Sequence, residues 1–154
     1  MKTYELHRET LVPRDREEVF AFFADAGNLE ELTPPWLRFE VVTPRPVDMR
    51  EGARIDYRLK VRGLTLRWTS AITAWRPPRL FVDEQERGPY RRWHHEHRFE
   101  QRDGGTAVID HVRYAVPGGP GLERLVQRFL VGPDVERIFD YRQRRLTELF
   151  CGGG

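Results

Sequence analysis

Between Leu37 and Val116 the sequence alternates apolar and polar residues with a period of two, in six consecutive segments. Such alternation is typical of β-strands that bury one face. The segments are joined by short stretches rich in glycine, proline and charged residues, which leave no room for the helical crossover that parallel strands require. The sequence therefore predicts six antiparallel strands in a meander. They are LRFEVV, ARIDYRLKVRG, LTLRWTSAITAW, RLFVDEQE, RRWHHEHRFE and TAVIDHVRYAV.

A further strand and two short helices are predicted before this meander. YELHRETLV at 4–12 alternates weakly between apolar and polar residues, which indicates a strand. RDREEVFAFFADAG opens with a candidate capping residue and acidic residues and then carries apolar positions, as the start of a helix does. NLEELTPPW adds a helical turn or two that ends at Pro34 and Pro35, because proline cannot continue a helix.

A long amphipathic helix is predicted after PGGPG at 117–121. Apolar residues recur at helical spacing from Leu122 to Phe150, with a kink or break expected at Gly132-Pro133. The predicted fold class is α+β, with a curved seven-stranded antiparallel sheet wrapped around the C-terminal helix. Since 154 residues make about one domain, we expect a single domain over 1–150 and a flexible tail at 151–154.

Composition narrows the classes of function. The 26 basic and 24 acidic residues are intermixed, with no separate basic block, which argues against a nucleic-acid partner. Cys151 is the single cysteine, so an internal disulfide and a multi-cysteine metal site are excluded. No window approaches the roughly 20 apolar residues of a membrane span. We expect a cytoplasmic protein without stable membrane insertion, as a monomer or a dimer.

The strand faces can be assigned from the alternation and the turns. In IDYRLKV, Ile55 and Tyr57 lie on the apolar face, which must point inward. A two-residue loop at Arg62-Gly63 would place Tyr57 opposite Trp68 and Ile55 opposite Ser70. Trp68 and Ser70 are therefore predicted to point inward as well.

The histidine-rich segment RRWHHEHRFE follows the same rule. Trp93, His95, His97 and Phe99 form the inward set, whereas His94 faces water. A turn at Asp103-Gly104 would place each of the four opposite a residue of the last strand. The predicted pairs are Trp93 with Tyr114, His95 with Val112, His97 with Asp110 and Phe99 with Val108.

The preceding strand allows two phases. A loop centred on Pro89 would place Asp83 opposite His95 and Gln85 opposite Trp93, but Leu80 and Val82 form a rival apolar set. Several inward polar groups on adjacent strands exceed what a filled core needs, since isolated buried charges cost several kcal/mol each. We therefore predict a cavity with a polar floor between the sheet and the last helix.

The order of elements, the strand pattern RLFVDEQERGPYRRWHHEHRFEQRDGGTAVIDHVRYAVP and a closing helix ending VERIFDYR resemble the START-like superfamily of polyketide cyclases, dehydrases and lipid-transport proteins (SRPBCC), and within it a bacterial branch of ligand-binding proteins. The resemblance covers residues 3–150. It implies a helix-grip fold whose cavity holds a hydrophobic or amphipathic small molecule. It implies no catalytic triad shared across the superfamily.

Three functions remain open at this stage. Ligand binding in the cavity is favoured. The alternative is a cofactor-independent cyclase, dehydratase or hydrolase, in which a His97–Asp110 or His95–Asp83 dyad moves a proton. A third, a protein-interaction or toxin-like role, would predict a collapsed interior and an exposed apolar patch.

The candidate residues follow from these hypotheses. The catalytic candidates are His97, Asp110 and His95. The ligand-binding candidates are Tyr57, Trp68, Ser70, Asp83, Gln85, Trp93, His95, His97, Phe99, Asp110, Val112, Tyr114 and Arg142. Arg142 lies on or near the apolar stripe of the last helix, where it would either meet a ligand carboxylate or extend to solvent. Two histidines and a carboxylate offer metal ligands, but the third ligand of a cupin-like motif is missing, so neither a metal nor a cofactor is predicted.

Overall fold

The computed structural model describes residues 2–151, and the order of its elements is the predicted one. Strand β1 (Tyr4–Val12) is followed by helices α1 (Arg16–Ala24) and α2 (Leu29–Leu32), with a 3-10 turn at Ala26–Asn28 between them. The remaining strands are β2 (Glu40–Val41), β3 (Arg54–Val61), β4 (Leu64–Arg76), β5 (Leu80–Arg87), β6 (Arg92–Arg102) and β7 (Gly105–Ala115).

The seven strands form one antiparallel sheet in the order β1-β7-β6-β5-β4-β3-β2. Every neighbouring pair except β1 and β7 is consecutive in the chain, as expected for a meander with short turns. The sheet and the long helix near the C-terminus of the chain confirm the predicted α+β helix-grip fold.

Strand β2 is shorter than the predicted LRFEVV segment. The first residue of the predicted segment, Leu37, ends a 3-10 turn at Pro35–Leu37 instead of starting a strand. The turn begins at the two prolines, which favour its backbone angles, and ends at Arg38 in the left-handed conformation. Glu40–Val41 then pairs with β3 at Arg58 and Tyr57. The proline pair thus decides how much of this segment joins the sheet.

The C-terminal helix changes its winding where the break was predicted. Helix α3 (Leu122–Val126) continues through a π turn at Gln127–Val131 into α4 (Gly132–Cys151). Pro133 has no amide hydrogen to donate to the preceding turn, which the wider π winding accommodates. Cys151 belongs to α4, so the predicted flexible tail does not begin there, and residues 152–154 lie outside the described range.

The core has two clusters on the concave face of the sheet. The larger one joins α1 and the C-terminal half of α4 to the sheet through Phe20, Phe23, Phe81, Phe99 and Leu146. The smaller one packs the N-terminal half of α4 onto β1 and β7. Its buried residues are Leu6, Val112, Tyr114, Val116, Val135 and Phe139. Between the two clusters the sheet and α4 enclose a cavity.

Candidate ligand cavity and its polar floor

The cavity has a volume of about 440 Å³ and is bounded by β3 to β6, by α4 and by the segment around α2. Its walls are mostly apolar, and its polar groups converge on one region. Eight of the predicted ligand-binding residues line it. They are Tyr57, Trp68, Ser70, Asp83, Trp93, His95, His97 and Arg142. We call Asp83, His95, His97 and Arg142 the polar floor.

Five predicted ligand-binding residues lie outside the lining of the cavity. Phe99 packs between Phe20 and Phe23, with ring centroids 5.3 and 5.1 Å away. Val112 and Tyr114 are covered by the N-terminal half of α4, which fills that end of the sheet.

The other two are Gln85 and Asp110. The Gln85 side chain donates to the carbonyl of Tyr90 at 2.7 Å and accepts from the Tyr90 amide at 3.1 Å, and so closes the turn between β5 and β6. Asp110 is only 1% exposed and lies behind the polar floor, where it contacts His95 and Arg142. Its role is to hold the floor from beneath.

The predicted strand registers are confirmed on both sides of the histidines. His97 lies opposite Asp110 and Phe81, and His95 lies opposite Val112 and Asp83. The β3–β4 register, with Tyr57 opposite Trp68, is confirmed as well. On β5 both alternating sets of side chains are partly buried, since Phe81 of one set points inward and Val82 of the other set is also covered. The neighbouring strand β4 has a register irregularity between Ile72 and Ala74, opposite this part of β5.

The histidine–aspartate pairs are exchanged relative to the prediction. His95 Nε2 lies 2.8 Å from Asp110 Oδ1, and His97 Nε2 lies 2.5 Å from Asp83 Oδ2. The predicted pairs are longer, at 3.7 Å for His97 with Asp110 and 3.9 Å for His95 with Asp83. Because long side chains on a twisted sheet reach diagonal neighbours, register alone does not decide which groups bond.

Arg142 joins the two pairs from the helix side. Its Nε donates to Asp110 Oδ2 at 3.1 Å, and one terminal nitrogen lies 3.3 Å from His97 Nδ1. The residue is 7% exposed, which excludes the alternative of an arginine extended into solvent. Its guanidinium also lies over the Phe23 ring, 5.2 Å from the centroid. Helix α4 is thereby tied to β6 and β7 through charge as well as through apolar packing.

Stacked rings hold the two imidazoles in place. The His95 and His97 ring centroids are 3.6 Å apart, and Phe81 stacks on the other side of His97 at 4.1 Å. The buried position of His97 also determines its charge. Burial, together with repulsion from His95 and Arg142, lowers the pKa of His97 to about 4, so its ring is neutral at pH 7.

The two carboxyl groups remain ionised. Burial by itself would raise the pKa of Asp110, but the Arg142 charge and the His95 hydrogen bond outweigh it, and the pKa is lowered far below its usual range. The pKa of Asp83 is lowered as well, because its hydrogen bond with His97 and the nearby positive groups outweigh burial. Burial raises the pKa of Tyr57, which stays a neutral phenol.

Asp83, His95 and His97 could also offer three metal-ligand atoms within 4.8 Å of one another. The hydrogen bonds of the floor oppose such use. Arg142 only donates, so His97 Nδ1 accepts from it and Nε2 carries the ring proton toward Asp83. A cation would have to displace that proton and sit beside a guanidinium.

Part of the cavity wall is formed by residues that were not predicted from the sequence. Leu29, Trp36 and Phe39 line it from the segment around α2, and Ile138 and Phe139 line it from α4. Trp36 is half-exposed, with the Arg137 guanidinium 5.5 Å from its ring centroid. The proline-rich turn gives no strand or helix period from which an inward direction could be read. The apolar residues that follow Pro34 and Pro35 were the available signal.

The third hypothesis expected a collapsed interior, and the cavity contradicts that expectation. Four apolar residues of the last helix are nevertheless exposed, namely Leu122, Leu125, Phe129 and Leu130. None of the helices within residues 2–151 is long and apolar enough to cross a membrane.

Comparison with known families gives one match. Residues 12–138 match the family described as polyketide cyclase / dehydrase and lipid transport. This stretch includes the whole polar floor except Arg142. No curated protein sequence matches the chain.

Solved structures share the fold along the whole chain. The Zhui aromatase/cyclase from Streptomyces sp. R1128 has a TM-score of 0.74 at 17% identity, covering 99% of this chain and 99% of that one. A protein from Mycobacterium smegmatis has a TM-score of 0.68 at 19% identity, covering 99% and 92%. One from Thermus thermophilus has a TM-score of 0.65 at 22% identity, covering 95% and 99%. Identities this low show a common fold alone.

Proposed function

The chain belongs to the polyketide cyclase/dehydrase and lipid transport family, and from that premise we propose that it binds a hydrophobic or amphipathic small molecule in the cavity between the sheet and α4. The observation that carries the proposal is the cavity itself, about 440 Å³ with apolar walls and a polar floor. Small-molecule sites commonly have volumes of about 300–1,000 Å³ and a few convergent polar groups.

The aromatic wall supports an apolar or aromatic ligand. Trp68 and Trp93 meet edge to face at 5.4 Å between ring centroids, and Tyr90 packs against both. The Trp68 indole N–H donates to Ser70 Oγ at 3.0 Å, so its polar atom is already satisfied. These rings therefore offer the ligand rigid apolar surface with little polar surface left to desolvate.

Ligand binding can be tested with a neutral fluorescent probe, N-phenyl-1-naphthylamine, whose emission rises in apolar surroundings. We expect saturable binding by the wild type and at least about tenfold weaker binding by Ile138→Trp, which places an indole in the cavity. Leu122→Trp is the matched control, because Leu122 is exposed and does not line the cavity. Absence of saturable binding, or equal binding by both variants, would contradict the proposal.

Acid–base catalysis in the same cavity is a second candidate, favoured by the orientation of His95. Ionised Asp110 accepts the Nε2 proton of His95 from beneath the floor, so Nδ1 is the ring nitrogen that would act as the base. A buried carboxylate that orients an imidazole in this way is a common device for general-base catalysis. Such a base would remove a proton from a bound carbonyl compound during aldol cyclisation or dehydration.

A linear poly-β-ketone thioester, followed by the absorbance of its aromatic product, tests this candidate. Wild-type protein should accelerate the cyclisation, and His95→Gln should reduce the rate by about 10²-fold or more, since general acid–base catalysis contributes factors of that size. His94→Gln, on the outer face of β6, is the control and should keep the wild-type rate. Equal rates for wild type and His95→Gln would remove His95 from any mechanism.

A further inference from the structure

One short segment of the protein surface is apolar, and it belongs to helix α3 and the π turn that follows it. Leu122, Leu125, Phe129 and Leu130 are 56%, 56%, 63% and 43% exposed. Large apolar side chains that protrude together from one segment mark a surface that interacts with something else. We call these four residues the apolar patch.

The opposite face of the same segment is already packed against the sheet. Val126 and Val131 contact the smaller core cluster, and the Gln127 side chain donates to the Tyr114 hydroxyl at 2.7 Å. The segment therefore cannot rotate to bury the apolar patch without losing these contacts. The four exposed side chains are left for a partner outside the chain.

The exposed charges beside the apolar patch are positive. Arg124 and Arg128 are exposed, and the Arg128 guanidinium lies 5.3 Å from the Phe129 ring centroid. Glu123 is the only acidic residue between positions 117 and 133, and its side chain is 16% exposed. A complementary partner should therefore combine apolar groups with negative charge.

The cavity opens next to this segment, and the rim of the opening is basic as well. Val131, the residue after the apolar patch, lines the cavity. Lys60, Arg62 and Arg137 also line it and are exposed, which shows where it opens. Asp134 is paired with Arg62 at 3.2 Å. The positive surface thus continues from the apolar patch to the opening of the cavity.

A lipid bilayer fits these features better than a second copy of the chain. Two copies joined through this face would bring their arginines together, and like charges oppose association. A stable dimer also needs about 20–30 residues from each side, far more than the apolar patch and its two arginines provide. A bilayer accepts a few apolar side chains below its head groups, while arginines remain beside the lipid phosphates.

We propose that the protein docks peripherally on anionic lipid bilayers through the apolar patch, with Arg124 and Arg128 at the lipid head groups. Docking of this kind is reversible, because a short apolar segment and a few cations bind a bilayer far more weakly than a spanning helix does. The opening of the cavity then lies beside the lipid surface. The proposal does not depend on ligand binding, since neither the apolar patch nor these two arginines line the cavity.

Co-sedimentation with vesicles tests the proposal. Wild-type protein is titrated at low ionic strength with vesicles of phosphatidylcholine and phosphatidylglycerol, and separately with vesicles of phosphatidylcholine alone. We expect saturable binding to the mixed vesicles and at least about tenfold weaker binding to phosphatidylcholine alone. Added salt should weaken the binding to the mixed vesicles, because it screens the arginines from the lipid charge.

Leu125→Ser and Leu11→Ser form a matched pair of variants, because the two leucines are 56% and 55% exposed. Leu11 lies opposite Ala107 near the start of β7, whereas the apolar patch follows the end of that strand. We expect Leu125→Ser to bind the mixed vesicles about tenfold more weakly than the wild type, since one apolar anchor is lost. Leu11→Ser should bind like the wild type.

The arginines are tested by the double variant Arg124→Gln with Arg128→Gln. It should bind the mixed vesicles at least about fivefold more weakly and show a smaller salt dependence than the wild type. Both arginines are exposed, so the double variant should unfold at the same urea concentration as the wild type. If Leu125→Ser does not fold, this double variant decides.

Three results would overturn the proposal. One is absence of saturable binding of the wild type to the mixed vesicles. Another is equal binding by Leu125→Ser and Leu11→Ser. The third is a dimer of the wild type in sedimentation velocity, dissociated by Leu125→Ser and without affinity for vesicles, which would assign the apolar patch to a second copy of the chain.

Discussion

His95 Nε2 lies 2.8 Å from Asp110 Oδ1, although His95 is opposite Val112 and Asp110 is opposite His97 in the register of β6 and β7. The hydrogen bond therefore runs diagonally between the two strands. Arg142 meets the same carboxylate from α4. Strand β6 and helix α4 thus both contact one buried aspartate of β7.

The Asp110–Arg142 ion pair should be required for stability. Asp110→Asn leaves the buried guanidinium without its carboxylate, and we expect a loss of about 3–5 kcal/mol in the free energy of unfolding. Arg142→Met should also destabilise, whereas the double variant should lose less than the sum, because neither charge is then left buried alone. Urea denaturation of the three variants measures this coupling.

Glu86→Gln is the control for these three variants. It breaks the exposed Arg54–Glu86 pair at 2.6 Å and should cost less than about 1 kcal/mol. Strictly additive losses for Asp110→Asn and Arg142→Met would contradict the assignment of the two residues to one network.

Stability should fall as the pH drops from about 6.5 to about 4, partly because of His97. The pKa of His97 is about 4 in the fold against 6.5 for a free imidazole, so over this window the unfolded chain binds a proton that the folded one does not. The contribution of His97 is fully present above pH 6.5 and amounts to about 3 kcal/mol lost on acidification. Urea denaturation at several pH values measures the slope.

His97→Gln should flatten this part of the pH profile, while His94→Gln on the outer face should leave it unchanged. A wild-type slope retained in His97→Gln would show that other groups cause the acid sensitivity. Asp110 adds a separate loss at lower pH, since its pKa is lowered and its contribution disappears only as the carboxylate is protonated.

Packing of the last helix on the sheet can be tested with two leucines of the same chain segment. Leu146 is fully buried in the larger core cluster, and Leu146→Ala should cost about 2–5 kcal/mol. Leu125 is 56% exposed, and Leu125→Ala should change the free energy of unfolding by no more than about 0.5 kcal/mol. Similar losses from the two variants, measured by thermal and urea unfolding, would contradict the placement of the helix.

Gly105 should tolerate no side chain. A Cβ at this position would lie 2.0 Å from the carbonyl oxygen of Val12, so the backbone of β1 would have to move. We expect Gly105→Ala to cost about 2 kcal/mol or more. Gly119 has open space around it, and Gly119→Ala should be close to neutral in the same urea titration. A neutral Gly105→Ala would show that β1 and β7 are not so close there.

Much of the fold was predictable because the signals are local. Period-two alternation and turn residues fix which face of each strand is buried and which residues are opposite, as with His97 and Asp110. Where two local signals competed, as at Leu37 after the proline pair, the predicted strand was too long. The winding of the last helix also followed from one local residue, Pro133.

The sequence by itself determined the order of the elements, the inward faces of the strands and the presence of buried histidines and carboxylates. Only the tertiary structure decided that His95 bonds Asp110 and that His97 bonds Asp83. It also decided that Arg142 turns inward and contacts Asp110 and His97. These choices depend on the twist of the sheet and on where α4 crosses it. Both arise from packing between residues far apart in the chain, which no local pattern records.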